Sequence, residues 1–229
     1  MKVFAISDLH LSFAAEKPMD IFGDGWSDHF GRVSENWRAR VGEKDLVLLG
    51  GDLSWGMNIE QAAPDYAAIA ALPGKKAVVK GNHDLYWGSL GKMQTAFPEF
   101  CFLQNNCLRF GNFLIAGSRG WTVPSENSEE HDVKIYRREL VRLELSFSHM
   151  QKLRTPDDRV IALLHFPPFD AKYNDSEVTA LLEKYAVDKA VYGHLHGKNA
   201  RVTPVVEKHG ISYHITSCDL IRNDPIQLY

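Results

Sequence analysis

Residues 76–84 read KAVVKGNHD: a short apolar run, a glycine, then an amide, an imidazole and a carboxylate in succession. The run is rich in β-branched residues and has polar flanks, as a buried strand does. The same grammar recurs on both sides of it. VFAI at 3–6 is followed by Asp8 and His10, LVLLG at 46–50 by Asp52, VIALL at 160–164 by His165, and KAVYG at 189–193 by His194 and His196. FLIAG at 113–117 is a sixth run, followed by Arg119. Between the first three runs lie two stretches that read as helix. One is Ser34 to Val41 with Ser34 as its cap, and the other is the alanine-rich Ile59 to Leu72, stopped by Pro73-Gly74. Strand alternating with helix predicts an α/β architecture with a largely parallel sheet.

Residues 99–117 read differently. They predict consecutive strands joined by tight turns at Asn105-Asn106 and Gly111-Asn112, so that Cys101 and Cys107 face each other across a hairpin. Near the end of the sequence, Arg201 to Val206 and Ile211 to Thr216 read as strands flanking a turn at Lys208-His209-Gly210. Two sheets meeting face to face, with helices outside, is the simplest assembly of these pieces. Between Ser128 and Leu153, Val133, Tyr136, Leu140, Leu143, Phe147 and Met150 recur at spacings of three and four, which marks a helix with one apolar face. That face reads as core, with a subunit interface as the alternative. Segments 13–38 and 118–131 read as insertions in a single domain spanning 1–229. The first holds Phe22, Trp26, Phe30 and Trp37; in its aromatic-rich part, 18–38, Phe22, Trp26 and Trp37 read as a satellite core, with a lid over the site as the alternative.

Bulk composition narrows the function classes. Hydrophobic residues make up 45% of the 229 and charged residues 24%, enough for a sizeable core. The net charge of -3 supplies no global basic field, so stable nucleic-acid binding and attachment to an anionic membrane are not expected. Three cysteines with no C-x-x-C pair argue against a disulfide framework and a structural zinc site. The first ten residues meet an acid too early for a signal peptide, and no long apolar run predicts a membrane span. A cytoplasmic location is the resulting expectation.

Taken singly, Asp8-x-His10, Gly51-Asp52 or His165 is an ordinary turn or a satisfied core residue. Together they are five strand ends that each deliver metal-capable side chains to the edge where open α/β sheets bind ligands. Carboxylate, imidazole and amide oxygen suit Mn(II) first, with Fe, Zn or Co as alternatives. Asp8, His10, Asp52, Asn82, His165, His194 and His196 are too many ligands for one small ion. Two ions sharing one carboxylate account for them, and paired ions about 3.5–4 Å apart recur in phosphoryl transfer to water.

In their order along the chain, D-x-H, G-D, G-N-H-D, H and G-H-L-H resemble the calcineurin-like metallophosphoesterases, from Asp8 to His196. The resemblance implies a four-layer α-β-β-α sandwich with two mixed sheets and a dinuclear site at the strand ends. It implies one metal on Asp8, His10, Asp52 and His196, and another on Asp52, Asn82, His165 and His194. It also implies that His83 sits over the substrate phosphate and that Asp84 orients His83. A hydroxide bridging the two cations would attack phosphorus, and His83 would protonate the leaving oxygen. The second motif continues Leu53-Ser54-Trp55-Gly56-Met57, without the further acid and arginine of the protein-phosphatase branch. With K-P-M-D at 17–20 and S-R-G-W at 118–121, it is similar instead to a bacterial subgroup of predicted phosphohydrolases. Arg119 is a candidate clamp on a phosphate oxygen, with a solvated surface arginine as the alternative. The expected substrate is a small phosphoester, of diester or nucleotide type. A phosphomonoesterase and a non-catalytic scaffold on the same fold are the alternatives.

Overall fold

The computed structural model describes residues 1–15, 17–197 and 200–229; Glu16, in the 13–38 segment, and Lys198-Asn199 lie outside the described residues. The strands are β1 (Val3–Ile6), β2 (Leu46–Leu49), β3 (Lys75–Val79), β4 (Phe100–Leu103), β5 (Cys107–Phe110), β6 (Phe113–Ser118), β7 (Arg159–Leu164), β8 (Lys189–Tyr192), β9 (Val205–Lys208), β10 (Ile211–Ile215) and β11 (Ile226–Gln227). The helices are α1 (His29–Arg40), α2 (Ile59–Ala70), α3 (Leu90–Ala96), α4 (Glu130–Leu153) and α5 (Glu177–Lys184). One sheet has the order β11-β1-β2-β3-β4 and the other β5-β6-β7-β8-β10-β9. In each the middle strands run parallel and antiparallel strands close the edges: β11 in the first, β5 and β9 in the second. Both sheets are therefore mixed.

Alternation along the strands builds the layers. Val3 and Ala5 of β1, and Leu46 and Leu48 of β2, face Ile161, Leu163 and Val191 of the other sheet. Phe4, Ile6, Val47 and Leu49 point the other way and meet Trp37, Tyr66 and Met93 of α1, α2 and α3. The outer face of the second sheet meets Tyr136, Leu143, Phe147 and Met150 of α4 and Leu182 of α5. Three apolar clusters between four layers make the expected α-β-β-α sandwich. Each large aliphatic side chain buried in them is worth about 1.5–3 kcal/mol. From Tyr136 to Met150 the apolar stripe of α4 is core, as its spacing predicts, while Val133 is half-buried outside the cluster. No helix among the described residues is long and apolar enough to cross a membrane.

Four local expectations need correction. The strand expected from Arg201 to Val206 is β9, shifted to Val205–Lys208, so Lys208 belongs to the strand and not to the turn. The helix expected to begin at Ser34 begins at His29, five residues earlier. Its apolar face starts at Phe30 and continues through the fully buried Val33 and Trp37, so tertiary packing outweighs the serine cap signal. β4 and β5 do not form a hairpin. β4 pairs with β3 in the first sheet and β5 with β6 in the second, so the Asn105-Asn106 turn carries the chain between sheets. That turn closes on itself through Gln104 N to Asn106 Oδ1 at 2.6 Å and is tied to α4 by Ser146 Oγ to Asn106 O at 2.6 Å. Cys101 and Cys107 accordingly belong to different sheets, and all three cysteines are free thiols. In the 13–38 segment, Trp26 and Trp37 join the core and Phe30 packs against it, but Phe22 is exposed. The two tryptophans therefore belong to the main core of the first sheet, and no separate satellite core forms around Phe22.

The carboxyl ends of β1, β2, β3, β7 and β8 open on one edge shared by both sheets. Just past it, Ser7 N donates to Thr216 O at 2.8 Å, and Ser7 pairs with Ser217. This link fastens the first sheet to the second at the place where the motif residues emerge.

Candidate metal centre

The turns after these five strands bring all seven residues of the expected ligand set to the shared edge. Ligand-capable atoms of Asp8, His10 and Asp52 lie within 4.8 Å of one another. Asp52 Oδ2 is 3.8 Å from His10 Nε2 and 3.4 Å from His165 Nε2. Asn82 Oδ1 lies 2.7 Å from His165 Nε2 and 2.9 Å from His194 Nδ1. The His196 ring stands 5.2 Å from the His10 ring, centroid to centroid. The side chains thus fall into two groups that meet at Asp52. One contains Asp8, His10 and His196; the other contains Asn82, His165 and His194.

Their electrostatics fit cations. His165 Nδ1 is 2.8 Å from the Gly50 carbonyl oxygen, which can only accept, so that nitrogen carries the ring proton. Burial holds the His165 pKa well below the ordinary imidazole value, and the ring is neutral. Its Nε2 lone pair therefore faces Asn82 Oδ1 and, once the Asp52 carboxyl is ionised, Asp52 Oδ2, two further lone-pair donors. A cation among them converts a repulsive arrangement into coordination, with the Gly50 carbonyl fixing the tautomer. His10 Nδ1, His10 Nε2 and Asp52 Oδ2 are buried and lack hydrogen-bond partners among the described residues. Such groups are costly unless a ligand answers them.

The carboxylates point the same way. Burial, with the neighbouring charges of Asp84 and Asp8, pushes the Asp52 carboxyl far above its usual range. Burial also raises Asp8, against hydrogen bonds from Ser7, Ser217 and the His194 N–H. Burial lowers His10 strongly and brings His194 down to about 4.

Backbone conformation explains the residue types at the turns. Asp8 (φ 56), His10 (φ 45), Asp52 (φ 52) and His194 (φ 68) all take left-handed backbone. That region costs non-glycine residues roughly 1–2 kcal/mol each. At these four positions the turn directs the side chains toward one point. Glycines make room beside them. A Cβ on Gly81 would lie 2.0 Å from Asp52 Oδ1, and one on Gly193 2.4 Å from Asp8 Oδ2.

Asp84 departs from expectation. Its Oδ2 accepts from Asp52 N at 2.9 Å and Gly81 N at 2.6 Å, and its Oδ1 from Leu53 N at 2.9 Å and Tyr86 Oη at 2.7 Å. With four donors satisfied on a fully buried carboxylate, it ties the second motif to the third and makes no bond to the His83 ring. His83 instead donates its backbone N–H to Asp52 Oδ1 at 2.8 Å, while its ring lies tilted against Trp55 at 4.6 Å and edge-on to His10 at 5.7 Å, centroid to centroid. Burial lowers the His83 pKa, and the Asp84 charge opposes that shift.

Arg119 is not a solvated surface arginine. It is 14% exposed, its Nη2 lies 3.3 Å from Glu139 Oε1, and its guanidinium lies 4.6 Å from the Trp121 ring centroid. Its carbonyl accepts from His165 N at 3.1 Å and Phe166 N at 2.9 Å, so it also holds the chain at the site. Sequence reasoning missed Trp55, which stacks on His10 at 4.8 Å, and Asp219. Asp219 Oδ2 accepts from Gly197 N at 2.7 Å, and its charge opposes the lowering of the His196 pKa by burial. The signal for Asp219 was present: ISYHI at 211–215 is an apolar strand, and the carboxylate follows at its carboxyl end.

Known proteins share this architecture. TT1561 of Thermus thermophilus superposes with a TM-score of 0.62 at 14% identity, over 98% of this chain and 96% of that one. Phosphopantetheinyl hydrolase (PptH) of Mycobacterium tuberculosis superposes with a TM-score of 0.59 at 12% identity, over 99% and 95%. At such identities the likeness is one of fold. In sequence, Gene 66 protein of Mycobacterium phage D29 is 32% identical over 109 residues, 41% of this chain and 53% of that protein, so the match spans about half of that relative's length. The model of the calcineurin-like phosphoesterase family matches residues 1–198, which include every motif residue named above. The chain belongs to the calcineurin-like phosphoesterase family.

Proposed function

We propose that this protein hydrolyses a small phosphoester of diester or nucleotide type, using two divalent cations, Mn(II) foremost, held on either side of Asp52. The observation that carries the reading is the lone-pair confrontation of His165 Nε2 with Asn82 Oδ1 and Asp52 Oδ2 at 2.7 and 3.4 Å, beside the orphaned nitrogens of His10. Asp8, His10, Asp52 and His196 would hold one ion, and Asp52, Asn82, His165 and His194 the other. Bound there, the ions would lower the pKa of coordinated water and neutralise charge on the phosphoryl group.

The remaining roles fall to the chain itself. The His83 ring makes no hydrogen bond among the described residues, so its N–H is available to a phosphoryl oxygen or, as a proton, to the leaving oxygen. Trp55 and Trp26 pack against the His10 ring and exclude water from that side. Asp84 holds the turns of the second and third motifs, which fixes Asp52 and the His83 backbone together. Beside His194 and His196 opens a cavity of about 730 Å³ with Phe166, Phe169, Tyr173, Val202 and Arg201 among its walls. Its size is that of a small-molecule site, and its aromatic walls suit an organic ester group such as a nucleoside.

The test is hydrolysis of bis-p-nitrophenyl phosphate and p-nitrophenyl phosphate by metal-stripped protein given back Mn(II), Zn(II), Fe(II) or Mg(II). Metal-dependent turnover, faster on the diester and lost in Asp52→Asn and His83→Ala, is the expected result. Turnover that survives Asp52→Asn would overturn the assignment of the site.

A further inference from the structure

A second cavity, of about 270 Å³, opens at the ends of β3 and β6. Lys80, Arg119, Arg138 and Arg142 line it, with Glu139 as the one carboxylate and Trp87 on its wall. Glu139 is 2% exposed and holds Arg119 Nη2 at 3.3 Å and Arg142 Nη1 at 2.7 Å. Among the described residues no carboxylate pairs with Lys80 or Arg138. Four cations against one carboxylate leave three positive charges uncompensated, in a chain whose net charge is -3. A structural ion-pair network balances its charges; this one does not. Arg119 Nε and Glu139 Oε2 are both buried and unpartnered, so the free N–H groups of the cavity are chiefly those of Lys80, Arg138 and Arg142. Converging cations with spare N–H groups and too little anion are what a site for a phosphoryl oxyanion requires.

None of the seven metal-centre residues lines the cavity, but two of its cations are tied to them through the backbone. Lys80 stands two residues before Asn82, and the Arg119 carbonyl accepts from the His165 N–H at 3.1 Å. It is smaller than the usual small-molecule site of about 300–1,000 Å³, so it suits a compact anion and not a nucleoside.

We infer that this cavity is an oxyanion subsite that takes a phosphoryl group not undergoing hydrolysis, either a second phosphate carried by the substrate or free phosphate. The inference rests on the phosphoesterase reading for its link to catalysis, but the anion site stands on its own charges. Glu139 spaces two guanidinium groups, and Lys80 and Arg138 supply unpaired charge. Substrates with a second phosphate would then bind in one orientation, with the reacting ester at the metal centre.

Two measurements test it. The first is calorimetric titration of metal-stripped protein with inorganic phosphate, for wild type and Arg138→Glu; Arg138 is an exposed residue of α4, so the fold tolerates the change. The second compares kcat/KM on the p-nitrophenyl ester of thymidine monophosphate with and without a second phosphate on the sugar. We expect phosphate binding that Arg138→Glu weakens, and a preference for the doubly phosphorylated ester that falls about tenfold or more in the variant. Phosphate binding without a substrate preference would keep the subsite and assign it to free phosphate. No phosphate binding, together with equal use of both esters, would overturn the inference. Absence of turnover on either ester would count against the phosphoesterase reading, while the titration still decides the anion site.

Discussion

His165 donates from Nδ1 to a carbonyl that cannot donate back, and this one bond fixes which face of the ring is offered to a cation. Among single residues, Asp84 has a comparable part. It satisfies the Asp52, Leu53 and Gly81 N–H groups and the Tyr86 hydroxyl, so removing it strands buried donors. Asp84→Ala is expected to cost roughly 3 kcal/mol or more of stability, as several unsatisfied groups of about 1–3 kcal/mol each. Asp84→Asn, which keeps the oxygen acceptor at one position, should lose less. Urea unfolding of both variants checks this. A residue that only oriented His83 would change the pH profile of kcat and leave the unfolding midpoint where it is.

Among the elements, strand ends and turns carry the design. Gly193 follows β8 where its backbone passes against Ser7 and Asp8, and an added Cβ would come within 2.3 Å of Ser7 Oγ. Gly193→Ala is expected to bind less metal per chain and to lose activity at least tenfold, because the Asp8 carboxylate must move; normal metal content in the variant would refute this. The same elements show what a sequence discloses. Six buried strands and the residues at their ends were legible because each apolar run is short, contiguous and closed by a glycine or a ligand-capable side chain. The start of α1 was not, since Ser34 carries a cap signal while Phe30, Val33 and Trp37 pack the helix from five residues earlier. The partners of β4 and β5 were not legible either. A turn such as Gln104–Asn106 looks the same whether it closes a hairpin or crosses between sheets. The Asp84 bonds escaped notice because they run to backbone N–H groups of a distant turn, which leave no mark in the sequence.

Folding of the molecule as a whole assembles buried carboxylates that the chain alone stabilises poorly. The folded pKa of Asp52 is raised to about 9, above the unfolded value of about 3.9. Folded protein therefore retains protons that the unfolded chain has released, and metal-free stability falls as pH rises through that window. The buried histidines act with the opposite sign, because their folded pKa values are depressed. Their contribution grows with pH and is complete by about 6.5, the unfolded imidazole value. Above about pH 7 the histidine contribution is constant while that of Asp52 still falls, so the thermal midpoint of chelator-treated protein should drop between pH 7 and pH 9. Added Mn(II) should remove or reverse that drop, since ions bind the ionised carboxylates. A flat midpoint in the metal-free protein would contradict the burial of these charges.

Whether two cations meet at Asp52 is decided by anomalous diffraction from crystals of Mn(II)-loaded protein. Two peaks are expected, one among Asp8, His10 and His196 and the other among Asn82, His165 and His194, with Asp52 reaching both. A single peak, or peaks away from these residues, would contradict the dinuclear centre.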